Sequence, residues 1–180
     1  MGEHQRMSGS LVVITGASGV GKTSIALATE KAKPEISVFR FDSIGVPNPE
    51  IMMSYGTGYQ PGGAWQRSMT LQWFDQIAPL LELGRSVLFE GQMRIAFIHE
   101  ALALHEISWA RIILVECNDE IRNSRLINER QQPELADENM SGWGRFLHQE
   151  AIESGARFLI PVLSRLPIAL VESLPTCMSN

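Results

Sequence analysis

The octapeptide Gly16-Ala17-Ser18-Gly19-Val20-Gly21-Lys22-Thr23 fits G-x-x-x-x-G-K-[ST] and follows the all-apolar run Leu11–Thr15. No other stretch limits the possible folds of this chain so strongly. Glycines at these positions let successive backbone N–H groups turn inward as an anion nest, and the helix that must follow points its positive end at the same centre. In such a loop Lys22 reaches the outer phosphates and the Thr23 hydroxyl binds Mg²⁺. The expected phosphate-binding set is therefore Gly16, Ala17, Ser18, Gly19, Val20, Gly21, Lys22, Thr23 and Ser24, with ATP and Mg²⁺ as the cofactors.

The rest of the chain alternates short apolar runs with longer periodic segments, the pattern of an α/β domain built on a parallel sheet. Strands are expected at Leu11–Thr15, Ser37–Phe41, Ser86–Phe89, Arg111–Glu116 and Ala156–Pro161. Helices are expected from Lys22 to about Lys33, from Ala64 to Leu83, from Ile95 to His105, from Asn118 into "EIRNSRLINER", and from Trp143 to Ser154. Gly84 and Gly155 stand where helix C-caps belong, and Asn118 where an N-cap belongs. Pro167 is expected to start a short terminal helix. Between the second strand and the long helix lies "IGVPNPEIMMSYGTGYQPGGAW", an irregular stretch long enough to carry binding residues. Residues 1–10 read as a disordered lead-in and 11–180 as one domain, with a lid-like segment at about 122–145.

Fifteen basic against twenty acidic residues leave a net charge of −5, which argues against a nucleic-acid partner. Cys117 and Cys177 make no disulfide framework, and the four histidines form no motif. No apolar stretch approaches the roughly 20 residues that span a bilayer, so a cytoplasmic protein is the expectation.

Which phosphate chemistry the loop serves is decided elsewhere. The strings D-x-x-G after a strand and N-K-x-D, which a guanine-nucleotide switch needs, do not occur. What does occur is "LFEGQMR", where Glu90 closes a strand beside the loop and can hold Mg²⁺ or its water, and where Arg94 can clamp a phosphoryl or acceptor oxygen. Asp42 ends the second strand, placed to accept or orient the proton of an attacking hydroxyl. Arg122, Arg125 and Arg130 follow in "IRNSRLINERQQP"; phosphoryl transfer wants such cations over the γ-phosphate, and Arg125 is the preferred one.

The segment Glu90-Gly91-Gln92-Met93-Arg94 is similar to the DG-x-P-R signature of nucleoside monophosphate kinases, with Glu in place of Asp and Met93 in place of proline. The arginine-bearing helix resembles their lid region, although their second lid arginine usually follows at a spacing of four and here Arg130 follows Arg125 at five. Asp42-Ser43 after an apolar strand, Gly62-Gly63 before a long helix and the arginines after "VEC" resemble the chloramphenicol phosphotransferases, also P-loop kinases. The resemblance implies the P-loop NTPase fold, five parallel strands in the order 2-3-1-4-5 with helices on both faces, and a loop Pro161–Arg165 near the nucleobase. It implies a phosphotransferase with catalytic Lys22, Asp42 and Arg125, acceptor-side Asp42, Glu90 and Arg94, and a metal held by Thr23 and Glu90. The acceptor is expected to be the hydroxyl of a small molecule; a nucleoside or nucleotide, gripped by Arg40, Arg67 and Arg94, is the second reading, and an ATP-binding module without an acceptor the third.

Overall fold

The computed structural model describes residues 9–56 and 63–160. The expected terminal helix, the loop Pro161–Arg165, most of the N-terminal lead-in and the centre of the Gly-rich stretch lie outside the described residues.

Five parallel strands form one sheet in the order β2-β3-β1-β4-β5, the order that the resemblance implied. They are β1 (Leu11–Thr15), β2 (Ser37–Arg40), β3 (Val87–Glu90), β4 (Arg111–Val115) and β5 (Arg157–Leu159). Central strands β1 and β3 are buried along their whole length, which is why they read as unbroken apolar runs: a parallel sheet is covered on both faces. The covering helices are α1 (Lys22–Ala32), α2 (Pro49–Ser54), α3 (Ala64–Glu82), α4 (Ile95–Leu104), α5 (Asp119–Ser124) and α6 (Glu138–Ser154). On α3 the residues Phe74, Ile77 and Leu81 are buried and share the core with Leu88 and Phe89 of β3. Trp65, Met69 and Trp73 of the same helix are buried as well, the packing role that their helical spacing suggests.

Helix ends follow local chemistry. The Asn118 side chain accepts from the Ile121 N–H at 2.8 Å and so caps α5. Gly84 and Gly155 take left-handed conformations after α3 and α6, where a Cβ would be strained.

Two elements depart from the sequence reading. The stretch taken as wholly irregular contains α2, begun by Asn48, whose side chain accepts from the Ile51 N–H at 3.0 Å, with Pro49 at the first helical position. Helix α6 starts at Glu138, capped by Asp137, rather than at Trp143. Gly142 and Gly144 lower helix propensity there and masked its first turn and a half.

Candidate active site

The C-terminal ends of β1, β2 and β3 meet at one edge of the sheet, and the sequence-predicted residues gather there. The backbone register sets Arg40 beside Glu90 and Ile14 beside Glu90. The turn after β3 is stapled to β1 in both directions: the Thr15 hydroxyl donates to the Met93 carbonyl at 2.5 Å and accepts from the Met93 N–H at 3.1 Å. Gly91 is required by space, because a Cβ on it would stand 2.3 Å from the Phe41 Cβ. Met93 is fully buried and fills the place of the proline in the kinase signature that this turn resembles.

The phosphate loop curls over the start of α1. Lys22 folds back on it, its Nζ donating to the carbonyls of Gly16 and Ala17 at 2.8 and 2.9 Å. Burial strips water from this ammonium and lowers its pKa to about 8, against the pull of the neighbouring Glu90 and Asp42 carboxylates, which raise it. Glu90 is buried beside it, and loss of water pushes its carboxyl above the usual range, partly offset by Lys22. The Thr23 hydroxyl donates to Glu90 Oε1 at 3.4 Å. A hydroxyl and a carboxylate at this distance form a hard-oxygen pair, the donor type that suits Mg²⁺, an ion that keeps several waters and substrate oxygens in its shell. The described residues hold no group of three or more His, Cys, Asp and Glu able to enclose a metal by themselves.

The arginines behave differently from one another. Arg122 is buried, paired with Asp119 at 2.7 Å and hydrogen-bonded to the Ser141 hydroxyl at 2.8 Å, so it ties α5 to α6 beneath the loop. Gly19 lies against its aliphatic stem: φ there is 84°, and a Cβ would meet Leu126 at 2.9 Å and Arg122 at 3.0 Å. Arg125 donates to the Val20 carbonyl at 3.3 Å. Arg130, whose spacing departs from that of the resembling kinases, reaches the Ser18 hydroxyl at 3.4 Å. The reason is a single π turn over Arg125–Glu129, in which the Arg130 N–H bonds the Arg125 carbonyl at 3.0 Å. A π turn absorbs one extra residue per turn, so a spacing of five returns both arginines to the face that looks at the phosphate loop.

Beside the loop opens a cleft of about 930 Å³. Ser18 and Arg130 line it on the phosphate side, Asp42 and Phe41 come from the short turn after β2, and Trp65, Gln66, Gln92 and Arg94 from α3 and the turn before α4. The opposite rim belongs to the segment from Gln132 to Phe146, including Glu134, Asp137, Asn139 and Trp143. Gln66, which nothing in the sequence pattern singled out, holds this wall together: its amide donates to the Gln92 carbonyl at 2.6 Å and its oxygen accepts from the Arg94 N–H at 3.2 Å.

Arg94 lines the cleft, but its guanidinium is engaged by protein. Nε and Nη2 donate to Glu150 Oε1 at 3.2 and 3.0 Å, and the group lies over the rings of Phe97 and Phe146. Glu150 also accepts from the Ile95 N–H at 2.7 Å, joining α6 to the start of α4. Arg40 pairs with Glu30 at 2.5 Å and Arg67 with Glu100, so of these three arginines Arg94 is the one lining the cleft. Cys117 is half-buried against the core. His105 and His148 meet Asp75 and Glu116. No helix among the described residues is long and apolar enough to cross a membrane.

No protein-family model matches this chain, and no curated protein sequence does either. Solved structures do match its fold. A sugar kinase from Janibacter sp. HTCC2649 superposes with a TM-score of 0.65 at 16% identity, covering 91% of each chain. Shikimate kinase from Acinetobacter baumannii, solved with shikimate, gives 0.58 at 14% identity over 91% of this chain and 89% of its own. The Mycobacterium tuberculosis APS kinase, solved with AMPPNP and APS, gives 0.57 at 16% identity over 92% and 94%. With its strand order, its phosphate loop and these neighbours, the chain has the fold of the P-loop kinases of small molecules.

Proposed function

We propose that the chain is an ATP-dependent kinase that moves the γ-phosphoryl group to a hydroxyl of a small molecule. The observation that carries this reading is the cleft itself: it opens directly off Ser18 of the phosphate loop and holds a carboxylate, Asp42, on one side and a cation, Arg130, on the other. A bare nucleotide-binding module has no use for such an adjoining pocket. Solved neighbours described as sugar, shikimate and APS kinases support it by fold.

On this reading the loop amides and Lys22 hold the β- and γ-phosphates, Lys22 exchanging its carbonyl partners for phosphate oxygens. Thr23 and Glu90 would hold Mg²⁺, which would supply neutralisation of phosphate charge. Asp42 orients the acceptor hydroxyl and takes its proton as the new O–P bond forms and the bond to the β–γ bridging oxygen breaks. Arg125 and Arg130, on the segment 122–145 acting as a lid, offset the charge that spreads over the γ-phosphoryl oxygens. Arg40 and Arg67 are occupied elsewhere by Glu30 and Glu100, which weakens the case for a nucleotide acceptor gripped by those arginines.

The test is acceptor-dependent ADP release from ATP·Mg²⁺ across a panel of sugars, hydroxylated aromatics, nucleosides and nucleoside monophosphates. Turnover that rises with a hydroxyl compound supports the reading; tight ATP binding with no acceptor dependence anywhere in the panel would remove it. A pH dependence follows as well. Lys22 has a folded pKa of about 8, and bound phosphates hold the ammonium charged. The proton needed for binding is present in the free protein below pH 8 and absent above it. The Lys22 contribution to ATP affinity is therefore complete below about pH 8 and lost above it, with a limiting slope of about tenfold per unit, to be read by titration calorimetry between about pH 6.5 and 9.5, which brackets that pKa.

A further inference from the structure

The cleft has a mixed lining: beside Ser18, Gln66, Gln92, Gln132 and Asn139 it carries carboxylates and apolar surface. Its apolar lining comes from Phe41, Met52, Trp65, Leu135, Met140 and Trp143. The aromatic residues are paired: Phe41 meets Trp65 edge to face with centroids 5.7 Å apart, and Trp143 stacks on Phe146 at 5.4 Å. Val46 and Phe146, 57% and 42% exposed, carry that apolar surface out to the mouth. A volume of about 930 Å³ is at the upper end of the range of small-molecule pockets.

The charges in the lining are unequal once their partners are traced. Arg94 is neutralised by Glu150. Arg130 stands at Ser18, on the phosphate side. Asp137 is consumed by its helix: one oxygen accepts from the Met140 N–H at 2.8 Å and the other from the Asn139 amide at 3.1 Å. Asp42 and Glu134 remain, both exposed in the cleft, and among the described residues neither forms an ion pair with an arginine or lysine. Among the described residues an anionic acceptor would meet two carboxylates, while the cations nearest them, Arg130 and Lys22, are placed for the phosphates. A cationic acceptor would meet two carboxylates and aromatic rings, whose faces also attract cations.

We propose that the acceptor is an amine-bearing alcohol with an aromatic or similarly apolar body. The apolar body lies against the edges that Trp65 and Trp143 leave open to the cleft, beside the exposed Phe146; the ammonium faces Glu134, and the hydroxyl points toward Asp42, Ser18 and the transferred phosphoryl group. This rests on the kinase reading above and narrows it.

The experiment measures binding without nucleotide, so that it stands apart from transfer. Phenylethanolamine, styrene glycol and mandelate share a phenyl ring and a hydroxylated carbon beside it, and differ in carrying an ammonium, a neutral hydroxyl and a carboxylate. Quenching of the cleft tryptophans reports their binding, with gluconate as the polar comparison. Phenylethanolamine is expected to bind at least about tenfold more tightly than mandelate, with styrene glycol between them and gluconate weakest, because exchanging the ammonium for a carboxylate turns attraction by the cleft carboxylates into repulsion. Glu134→Gln, an exposed change that leaves the core alone, is expected to shrink the ammonium-to-neutral ratio by up to about fivefold, the upper range for one exposed ion pair. Mandelate or gluconate binding as tightly as phenylethanolamine, or a ratio unmoved in Glu134→Gln, overturns the inference. In either case ATP binding and acceptor-dependent ADP release are measured on the same protein, and their persistence leaves the kinase reading standing alone.

Discussion

Lys22→Ala lowers acceptor-dependent phosphoryl transfer by at least about a hundredfold to a thousandfold, the usual effect of removing one preorganised donor from a developing charge, while the protein stays folded. The two halves of this expectation come from one observation. Lys22 Nζ is buried and bonded to two carbonyls of its own loop, and its charge is costly enough there to bring its pKa down to about 8. An ammonium held in this way contributes little net stability, since desolvation opposes its hydrogen bonds. On the kinase reading proposed above, phosphate oxygens would offset that cost. The measurement is ADP release beside a thermal melt: the expected result is activity lost with Tm shifted by no more than a few degrees. Full activity in the alanine variant would mean that the loop is not the phosphate site. A collapsed Tm would mean that Lys22 is structural, and Lys22→Met, which keeps the stem and removes the charge, then separates the two.

Arg130→Ala is expected to lower kcat by about a thousandfold, the lower range for an arginine that neutralises the transferring phosphoryl, with a smaller change in KM for ATP. Arg130 is exposed and among the described residues its side chain bonds the Ser18 hydroxyl, while its backbone N–H bond to Arg125 survives truncation, so little in the fold depends on the guanidinium. Arg125 offers the control. Its guanidinium bonds the Val20 carbonyl within the loop, so Arg125→Ala disturbs loop geometry and raises KM together with lowering kcat. Arg130→Lys recovers part of the rate, because a point charge replaces a planar fork. Equal losses in kcat and in ATP affinity for Arg130→Ala would assign it to ground-state binding rather than to transfer.

Much of the fold is local and therefore readable along the chain. The phosphate loop depends on glycines within eight residues of one another, and the strand before it depends on five consecutive apolar side chains. Asn118, Gly84 and Gly155 act on helix ends within a turn of themselves. Where two local signals compete, the reading along the chain failed. Asn48-Pro49 is a helix start, yet the glycines and prolines around it spoke for irregular chain. Gly142 and Gly144 hid the first turn and a half of α6 because packing, not propensity, holds that turn. Met140, Ser141 and Trp143 are buried there, and burial outweighs the roughly 1 kcal/mol that each helical glycine costs.

The candidate site divides along the same line. By itself the amino-acid sequence determined the glycine-rich loop between β1 and α1 and Glu90 at the end of β3, since these follow from short-range pattern, while the strand order came from the family resemblance. Asp42, expected to end the second strand, lies instead in the short turn Phe41–Ile44 that follows Arg40. Only the tertiary structure decided what each arginine does. Arg40, Arg67 and Arg94 look alike in one dimension, and it is Glu30, Glu100 and Glu150 that occupy them, the last two being 33 and 56 residues away. Arg125 and Arg130 come to one face through a π turn that spacing rules for an α-helix do not contain. The aromatic wall is assembled from α3, the turn after β2 and α6, which no local pattern connects. Charge and shape in a cleft are properties of what surrounds a side chain, and in a folded chain those surroundings come from residues far off in sequence.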